Sequence, residues 1–284
     1  MKLLRTIAEV RAFRDGSRGE VGFVPTMGAL HAGHASLIER AVRESDRAVV
    51  SIFVNPRQFG PREDFASYPR DEPADLALAE SLGAHAVFAP SVDEMYPRGD
   101  ATRVDPGPIG ARLEGAARPG HLVGVATVVA KLFAIVRPER AYFGQKDFQQ
   151  LRVVQAIARD LRLGVRVIGC PTVREPDGLA MSSRNRYLST FERRDALSLS
   201  RALFAARDGW DAGERDPAAL RDRTKERAAN PGVQLEYVSV ADPLTLDELD
   251  STATRAVISL AAHVGKARLI DNVLLGMALE DLAA

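Results

Sequence analysis

The sequence has 284 residues, of which 46% are hydrophobic and 27% charged, with 38 basic side chains against 38 acidic ones. That length suits one large domain or two ordinary ones, and no net charge draws the chain toward nucleic acid or a membrane surface. The one cysteine, Cys170, excludes a disulfide framework and a cysteine zinc site and fits a reducing, cytoplasmic setting.

Residues 1–11, M-K-L-L-R-T-I-A-E-V-R, read as an amphipathic helix, because charge interrupts them too often for a signal peptide. Residues 21–24 form a short apolar run suited to a buried parallel strand, and Pro25 is expected to end it. Residues 26–30 turn the chain, with Gly28 able to take a positive φ. A helix begins near Gly33, where Leu37, Ile38, Ala41 and Val42 recur at helical spacing. A second strand is expected at 48–54, followed by a loop over 55–70 rich in proline. A helix over 73–82 and a strand over 85–89 come next; His85 reads as a structural residue near the strand start. Residues 90–120 are rich in proline, glycine and charge. An apolar helix spans 123–136, a strand ends at Gly144, a helix covers 148–161 and a strand 165–170. This β-α repetition predicts a Rossmann-like α/β fold, a doubly wound parallel sheet with right-handed crossovers, over residues 1–175.

The pattern then changes. A helix is expected over 191–209 and another after Asp216-Pro217, where Asp caps and Pro opens the helix. Strands are expected at 235–240, 255–262 and 267–273, the last two joined in a hairpin at Gly265. Residues 176–284 therefore read as a smaller α+β domain with an antiparallel sheet.

Three segments carry chemistry. H-A-G-H at 31–34 follows a strand and opens a helix, so His31 and His34 sit where backbone N–H groups and the helix dipole favour phosphate. Zinc is a rival for two histidines, but it needs further ligands, and neither a Cys pair nor H-E-x-x-H is present. F-G-Q-K-D at 143–147 offers Gly144, Gln145, Lys146 and Asp147 at a strand end; the same pattern is met by a surface lysine beside a capping aspartate. M-S-S-R at 181–184 gives hydroxyls, amides and a guanidinium able to wrap a triphosphate, or else a solvated turn. Asn55 and Gln58 in N-P-R-Q-F, Gln149 and Gln150, and Arg118 in R-P-G-H add neutral amides and a cation. The set lacks a nucleophile with a paired base, which favours a reaction run by positioning and charge stabilisation, such as nucleotidyl transfer.

P-T-M-G-A-L-H-A-G-H, F-V-N-P-R-Q-F-G-P-R-E-D, Y-F-G-Q-K-D-F-Q-Q-L and R-E-P-D-G-L-A-M-S-S-R-N-R-Y-L, in that order over nearly the whole chain, resemble the pantoate–β-alanine ligase family of the H-x-G-H nucleotidyltransferase superfamily. H-L-V-G at 121–124 departs from the family's usual Phe after His, and Leu122 keeps the position apolar. The resemblance implies that pantoate and Mg-ATP form pantoyl adenylate, which β-alanine converts to pantothenate and AMP. It further implies that His34 and His31 contact the phosphates, and that Lys146, Ser182, Ser183 and Arg184 hold the triphosphate. Met27, Gly28, Gly144, Gln145, Asp147, Val173 and Met181 fall at ATP-contact positions. Gln58 and Gln150 match the pantoate-binding glutamines, with Asn55 and Arg118 as lesser substrate candidates. The C-terminal domain is expected to act as a lid over ATP through 181–184. Mg²⁺ is expected to arrive with ATP, with no ligand set assigned. A homodimer is expected, with strand 48–54 or a nearby edge as a candidate surface. Two rivals remain at this point: a nucleotidyltransferase whose product keeps the nucleotide, and a nucleotide-binding module without turnover.

Overall fold

The computed structural model describes residues 1–61 and 63–282; Arg62, in the loop after Gln58, and the last two alanines lie outside them. By their contacts the described residues form two compact units, Met1–Gly144 with Gln149–Cys170, and Gln145–Phe148 with Pro171–Leu282. The chain thus leaves the first unit after Gly144, re-enters it at Gln149, and passes finally to the second after Cys170.

The first unit runs β1 (Lys2–Leu4), α1 (Ile7–Asp15), β2 (Val21–Thr26), α2 (Ala32–Glu44), β3 (Arg47–Ile52), α3 (Glu72–Ser81), β4 (Ala86–Phe88), the short helices α4 (Val92–Met95) and α5 (Glu114–Ala117), α6 (His121–Val136), β5 (Arg140–Gly144), α7 (Phe148–Asp160) and β6 (Arg166–Cys170). The strands make one parallel sheet ordered β1-β4-β3-β2-β5-β6. The order reverses between β2 and β5, and open α/β sheets bind ligands at the carboxyl ends of strands at such a reversal. Successive residues of a strand face opposite sides. On β2, Val24 joins Leu37, Ile38 and Ala41 of α2 in one cluster, whereas Phe23 meets Phe133 of α6 edge-on, with ring centroids 6.5 Å apart. Helices therefore cover both faces, as the β-α repetition predicts. Full burial of each such side chain contributes about 1.5–3 kcal/mol.

Three expectations are corrected. The N-terminus is not helical from its start: Lys2–Leu4 is an edge strand paired with β4, with Leu4 buried and Leu3 exposed. The helix begins only after Thr6, in a capping box where Thr6 Oγ1 accepts from Glu9 N–H at 3.2 Å and Glu9 Oε2 accepts from Thr6 N–H at 2.9 Å. Pro25 does not end β2, which continues through Thr26 beside β3. The ladder to β5 engages Gly22 and Phe23, so the N–H that proline lacks falls beyond it. Finally, β3 lies between β4 and β2, so both its edges are bonded and it cannot serve as a subunit edge.

The second unit contains α8 (Thr190–Asp211), α9 (Pro217–Ala228), β7 (Val233–Ala241), β8 (Ala256–Val264) and β9 (Ala267–Leu275). Ser189 and Glu192 form the capping box of α8, and Asp216 caps α9 with Pro217 in its first turn. The strands form an antiparallel sheet ordered β7-β8-β9. Val264 pairs with Ala267 across a two-residue turn at Gly265. Leu203, Trp210 and Leu220 pack with Ile258 and Leu260 in its core.

Candidate functional site

In the first unit, β2 delivers the chain into the turn that carries H-A-G-H. Gly28 has φ +79° and Ala29 φ +50°, and a Cβ at Gly28 would lie 2.8 Å from Asp75 Oδ2, so the turn needs glycine there on both counts. Asp75, buried in the first turn of α3, accepts from Ala29 N–H at 2.9 Å and Leu30 N–H at 2.7 Å. Gly28 N–H donates to Thr26 Oγ1 at 3.1 Å. His31 is the N-cap of α2, its Nδ1 accepting from Gly33 N–H at 3.1 Å. Four backbone N–H groups around the turn, those of Gly28, Ala29, Leu30 and Gly33, are thus committed within the protein. The imidazoles are its chemical face. An accepting Nδ1 carries no proton, so the His31 proton sits on Nε2 and that nitrogen donates. His34 stacks on His31, with centroids 4.1 Å apart and planes at 29°.

The 55–63 segment is tied to the start of α6. Asn55, 1% exposed, donates from Nδ2 to Gln58 Oε1 at 3.0 Å and to Gly124 C=O at 3.2 Å. Its Oδ1 accepts from Tyr96 O–H at 2.8 Å and Arg57 N–H at 3.2 Å. Both amide hydrogens and both lone pairs of Asn55 are thus used within the protein, which fixes Gln58 beside it. Burial pushes the Tyr96 phenol up to about 12, so it stays a donor to Asn55. Gln58 Nε2 donates to Met27 Sδ at 3.2 Å, which joins the pantoate candidate to the ATP candidate. Arg118, also expected as a substrate contact, forks onto Glu63 at 2.7 and 2.6 Å. Burial raises the Glu63 carboxyl, but the bonds and charge of Arg118 outweigh it and hold the group below its ordinary value. Gln149 likewise tethers the 109–114 loop, accepting from Glu114 N–H at 2.9 Å and donating to the carbonyls of Ile109 and Arg112 at 2.8 and 2.7 Å. Gln150 is half-buried near the start of α7. A Cβ at Gly144 would meet nothing within 4 Å, so packing does not require a glycine there. His85 is structural as expected, its Nδ1 accepting from Ala48 N–H at 3.1 Å.

His121 completes this network. Arg118 Nη1 lies 3.0 Å from His121 Nε2, and His121 Nδ1 lies 2.8 Å from Gln58 C=O. Arginine only donates, so Nε2 accepts and Nδ1–H donates to Gln58. Burial, then the Arg118 charge, push the His121 pKa from 6.5 to about 4. Between those values the unfolded chain binds the proton that the folded chain refuses, so stability falls as pH drops from 6.5 to about 4. The full loss is on the order of 3 kcal/mol at about 1.4 kcal/mol per pH unit. Denaturant unfolding across that range should show a shallower acid slope for His121→Gln than for the native protein; equal slopes would refute the assignment.

In the second unit, Gln145, Lys146 and Asp147 form a single 3-10 turn, with Lys146 Nζ 3.9 Å from the Asp147 carboxylate. Val173 and Met181 are brought together by a narrow hairpin: Met181 N–H donates to Val173 C=O at 3.0 Å and Arg174 bridges to Ala180. Ser182 Oγ accepts from Arg184 N–H at 3.2 Å, capping the turn Ser183–Tyr187. Ser183 and Arg184 are partly exposed within it. The M-S-S-R segment is thus an ordered cap. Sequence reasoning missed Tyr96, Asp75, His121, Asp271 and Asn272. The last two had a signal, an acid and an amide amid the apolar run of a strand.

A model of the family described as pantoate-beta-alanine ligase matches residues 2–274. The chain is 56% identical over 276 residues to the pantothenate synthetase of Roseiflexus castenholzii, covering 97% of this chain and 99% of that one. It is 52% identical over 279 residues to the pantothenate synthetase of Moorella thermoacetica, with 97% and 99% covered. The crystal structure of pantothenate synthetase from Thermus thermophilus matches with a TM-score of 0.91 at 50% identity, covering 96% of this chain and 99% of that one. The pantoate-beta-alanine ligase of Francisella tularensis, complexed with beta-gamma ATP and beta-alanine, matches with a TM-score of 0.80 at 35% identity, covering 98% and 99%. The chain belongs to the pantoate–β-alanine ligase family.

Proposed function

We propose that the chain condenses pantoate with β-alanine at the expense of ATP, through a pantoyl-adenylate intermediate, giving pantothenate, AMP and diphosphate. The observation that carries this is the family match over residues 2–274, on a chain in which H-A-G-H opens α2 at a strand end. In the first step a pantoate carboxylate oxygen attacks the α-phosphorus, and the bond to the bridging oxygen of the diphosphate breaks. The carboxylate is ionised at neutral pH and needs no base; the step needs charge stabilised on the phosphates. His34 and the Nε2–H of His31 supply donors there, and Lys146, Ser182, Ser183 and Arg184 hold the triphosphate. Met27, Gly28, Gly144, Gln145, Asp147, Val173 and Met181 line ATP. In the second step the neutral amine of β-alanine attacks the acyl carbon, the C–O bond to phosphate breaks and AMP leaves. An alkylammonium has a pKa near ~10, so that amine sheds a proton before attack. Gln58 and Gln150 hold pantoate, with Asn55 and Arg118 as lesser substrate contacts beside Gln58.

Among the described residues no three His, Cys, Asp or Glu side chains converge on a metal-sized site. Mg²⁺ is proposed to enter with ATP, on phosphate oxygens and water. A homodimer, by family resemblance, and a cytoplasmic setting, in keeping with the buried thiol of Cys170, belong to the same proposal. No helix among the described residues is long and apolar enough to cross a membrane.

Omission assays test the reaction. Free AMP should form only with pantoate, ATP, Mg²⁺ and β-alanine together, measured by chromatography of the nucleotides. AMP formed equally well without β-alanine, or a product that retains the nucleotide, would overturn the ligase assignment.

A further inference from the structure

Asp271 and Asn272 interrupt the run A-R-L-I-D-N-V-L-L of β9. Both are nearly sealed from solvent, at 4% and 3% exposure. Burying an acid and an amide in an otherwise apolar strand costs free energy unless every polar atom is matched, so what they hold is the clue to their use. Asn272 Nδ2 donates to two consecutive carbonyls, those of Gln145 and Lys146, at 2.9 Å each. Its Oδ1 accepts from Gln145 Nε2 at 3.2 Å. Asp271 Oδ1 accepts the Asn272 main-chain N–H at 2.8 Å, and the same carboxylate is forked by Arg174 at 2.7 and 3.0 Å. Arg174 donates onward to Gly178 C=O at 3.1 Å, inside the hairpin that leads into M-S-S-R. One dipeptide thus grips both the turn bearing Lys146 and the hairpin preceding Ser182.

We propose that Asn272 is a positioning residue for ATP. It clamps the backbone on both sides of the Lys146 side chain, while Asp271, through Arg174, sets the height of the 173–181 hairpin relative to that turn. The proposal rests on the assignment of Lys146 to the triphosphate. Only an amide serves: aspartate has the same shape but accepts only, and would set a carboxylate against two carbonyl oxygens beside Asp271. The clamp acts on main-chain atoms, so it fixes where the ammonium is carried without consuming its donors.

The test is a double-mutant cycle on the full chain with Asn272→Asp, Lys146→Ala and the pair, reading kcat/KM for ATP, KM for pantoate and thermal unfolding. Asn272→Asp should lower kcat/KM for ATP about tenfold or more, as displacement of a positioned group does, while KM for pantoate stays within about twofold. In the Lys146→Ala background the same change should cost less than about threefold, because residues that act through one another are not additive. Asn272→Ser, which has a single donor and buries no charge, should show the same pattern more weakly and serves if the aspartate variant does not fold. Losses that multiply in the pair, or unchanged kcat/KM for ATP in Asn272→Ser, would overturn the inference. A near-normal Lys146→Ala enzyme would instead defeat the assignment of Lys146, and this inference with it.

Discussion

Replacing His34 by alanine should slow diphosphate release from ATP and pantoate by about two to three orders of magnitude, the usual cost of removing one donor aimed at developing charge. The unfolding temperature should change little by comparison. His34 lies in the first turn of α2, and the cap of that helix is made by His31 Nδ1 rather than by His34. The two rings stack at 4.1 Å, so His31→Ala should have a double effect. It removes the Nε2–H donor, and it removes a cap whose loss costs about 0.5–2 kcal/mol of stability. Comparing the two variants separates chemistry from folding: His34→Ala should be slow but sound, His31→Ala slow and less stable. The check is a rapid-quench measurement of the diphosphate burst alongside denaturant unfolding. A near-normal burst in His34→Ala would remove that residue from the adenylation step.

A glycine-to-alanine change at position 124 should destabilise the protein and raise KM for pantoate much more than KM for ATP. Helix propensity argues the opposite sign, since alanine in a helix interior is favoured over glycine by about 1 kcal/mol. Packing decides it. A Cβ at Gly124 would stand 2.2 Å from Arg57 C=O oxygen, 2.6 Å from its carbon and 2.8 Å from Gln58 Cα. All three are main-chain atoms, which cannot rotate away, so the 55–58 turn must lift off α6. Overpacking typically costs about 1–3 kcal/mol, enough to outweigh the propensity gain. Lifting the turn also strains the Asn55 bond to Gly124 C=O and carries Gln58 away from Met27. Misplacement of a substrate-holding group by about 1 Å can cost a hundredfold in rate. Steady-state kinetics and thermal unfolding of Gly124→Ala provide the check. An unfolding temperature at or above that of the native chain, with pantoate KM unchanged, would contradict this account.

The fold was legible in the sequence wherever one local pattern met no competitor. Apolar runs with intervening helical periodicity specified every strand of the parallel sheet but one, and Asp216-Pro217 marked α9 to the residue. The exceptions have physical causes. Strand β1 is three residues long, too short for alternation to register against the helical period that follows. Pro25 stays in β2 because the missing N–H falls where no neighbour asks for it. At the site, the residue types in H-A-G-H, F-G-Q-K-D and M-S-S-R were visible, whereas their supports were not. Asp75, Tyr96 and His121 act across 45, 41 and 63 residues of chain, and no local pattern records such pairings. For the same reason the bonds of Asn55 to Gln58 and Gly124, and of Arg118 to Glu63, were not legible, since the residue type alone does not record its partner.

Asp75 carries one more consequence. By accepting from Ala29 and Leu30 N–H, its carboxylate sits where an anion would otherwise settle on the turn. The turn therefore holds its shape before any nucleotide arrives, and the entropy of ordering it is met during folding instead of being subtracted from affinity. Under the proposed function the imidazole edges of His31 and His34 would meet the phosphates there, with few fixed directions that select by shape as well as by charge.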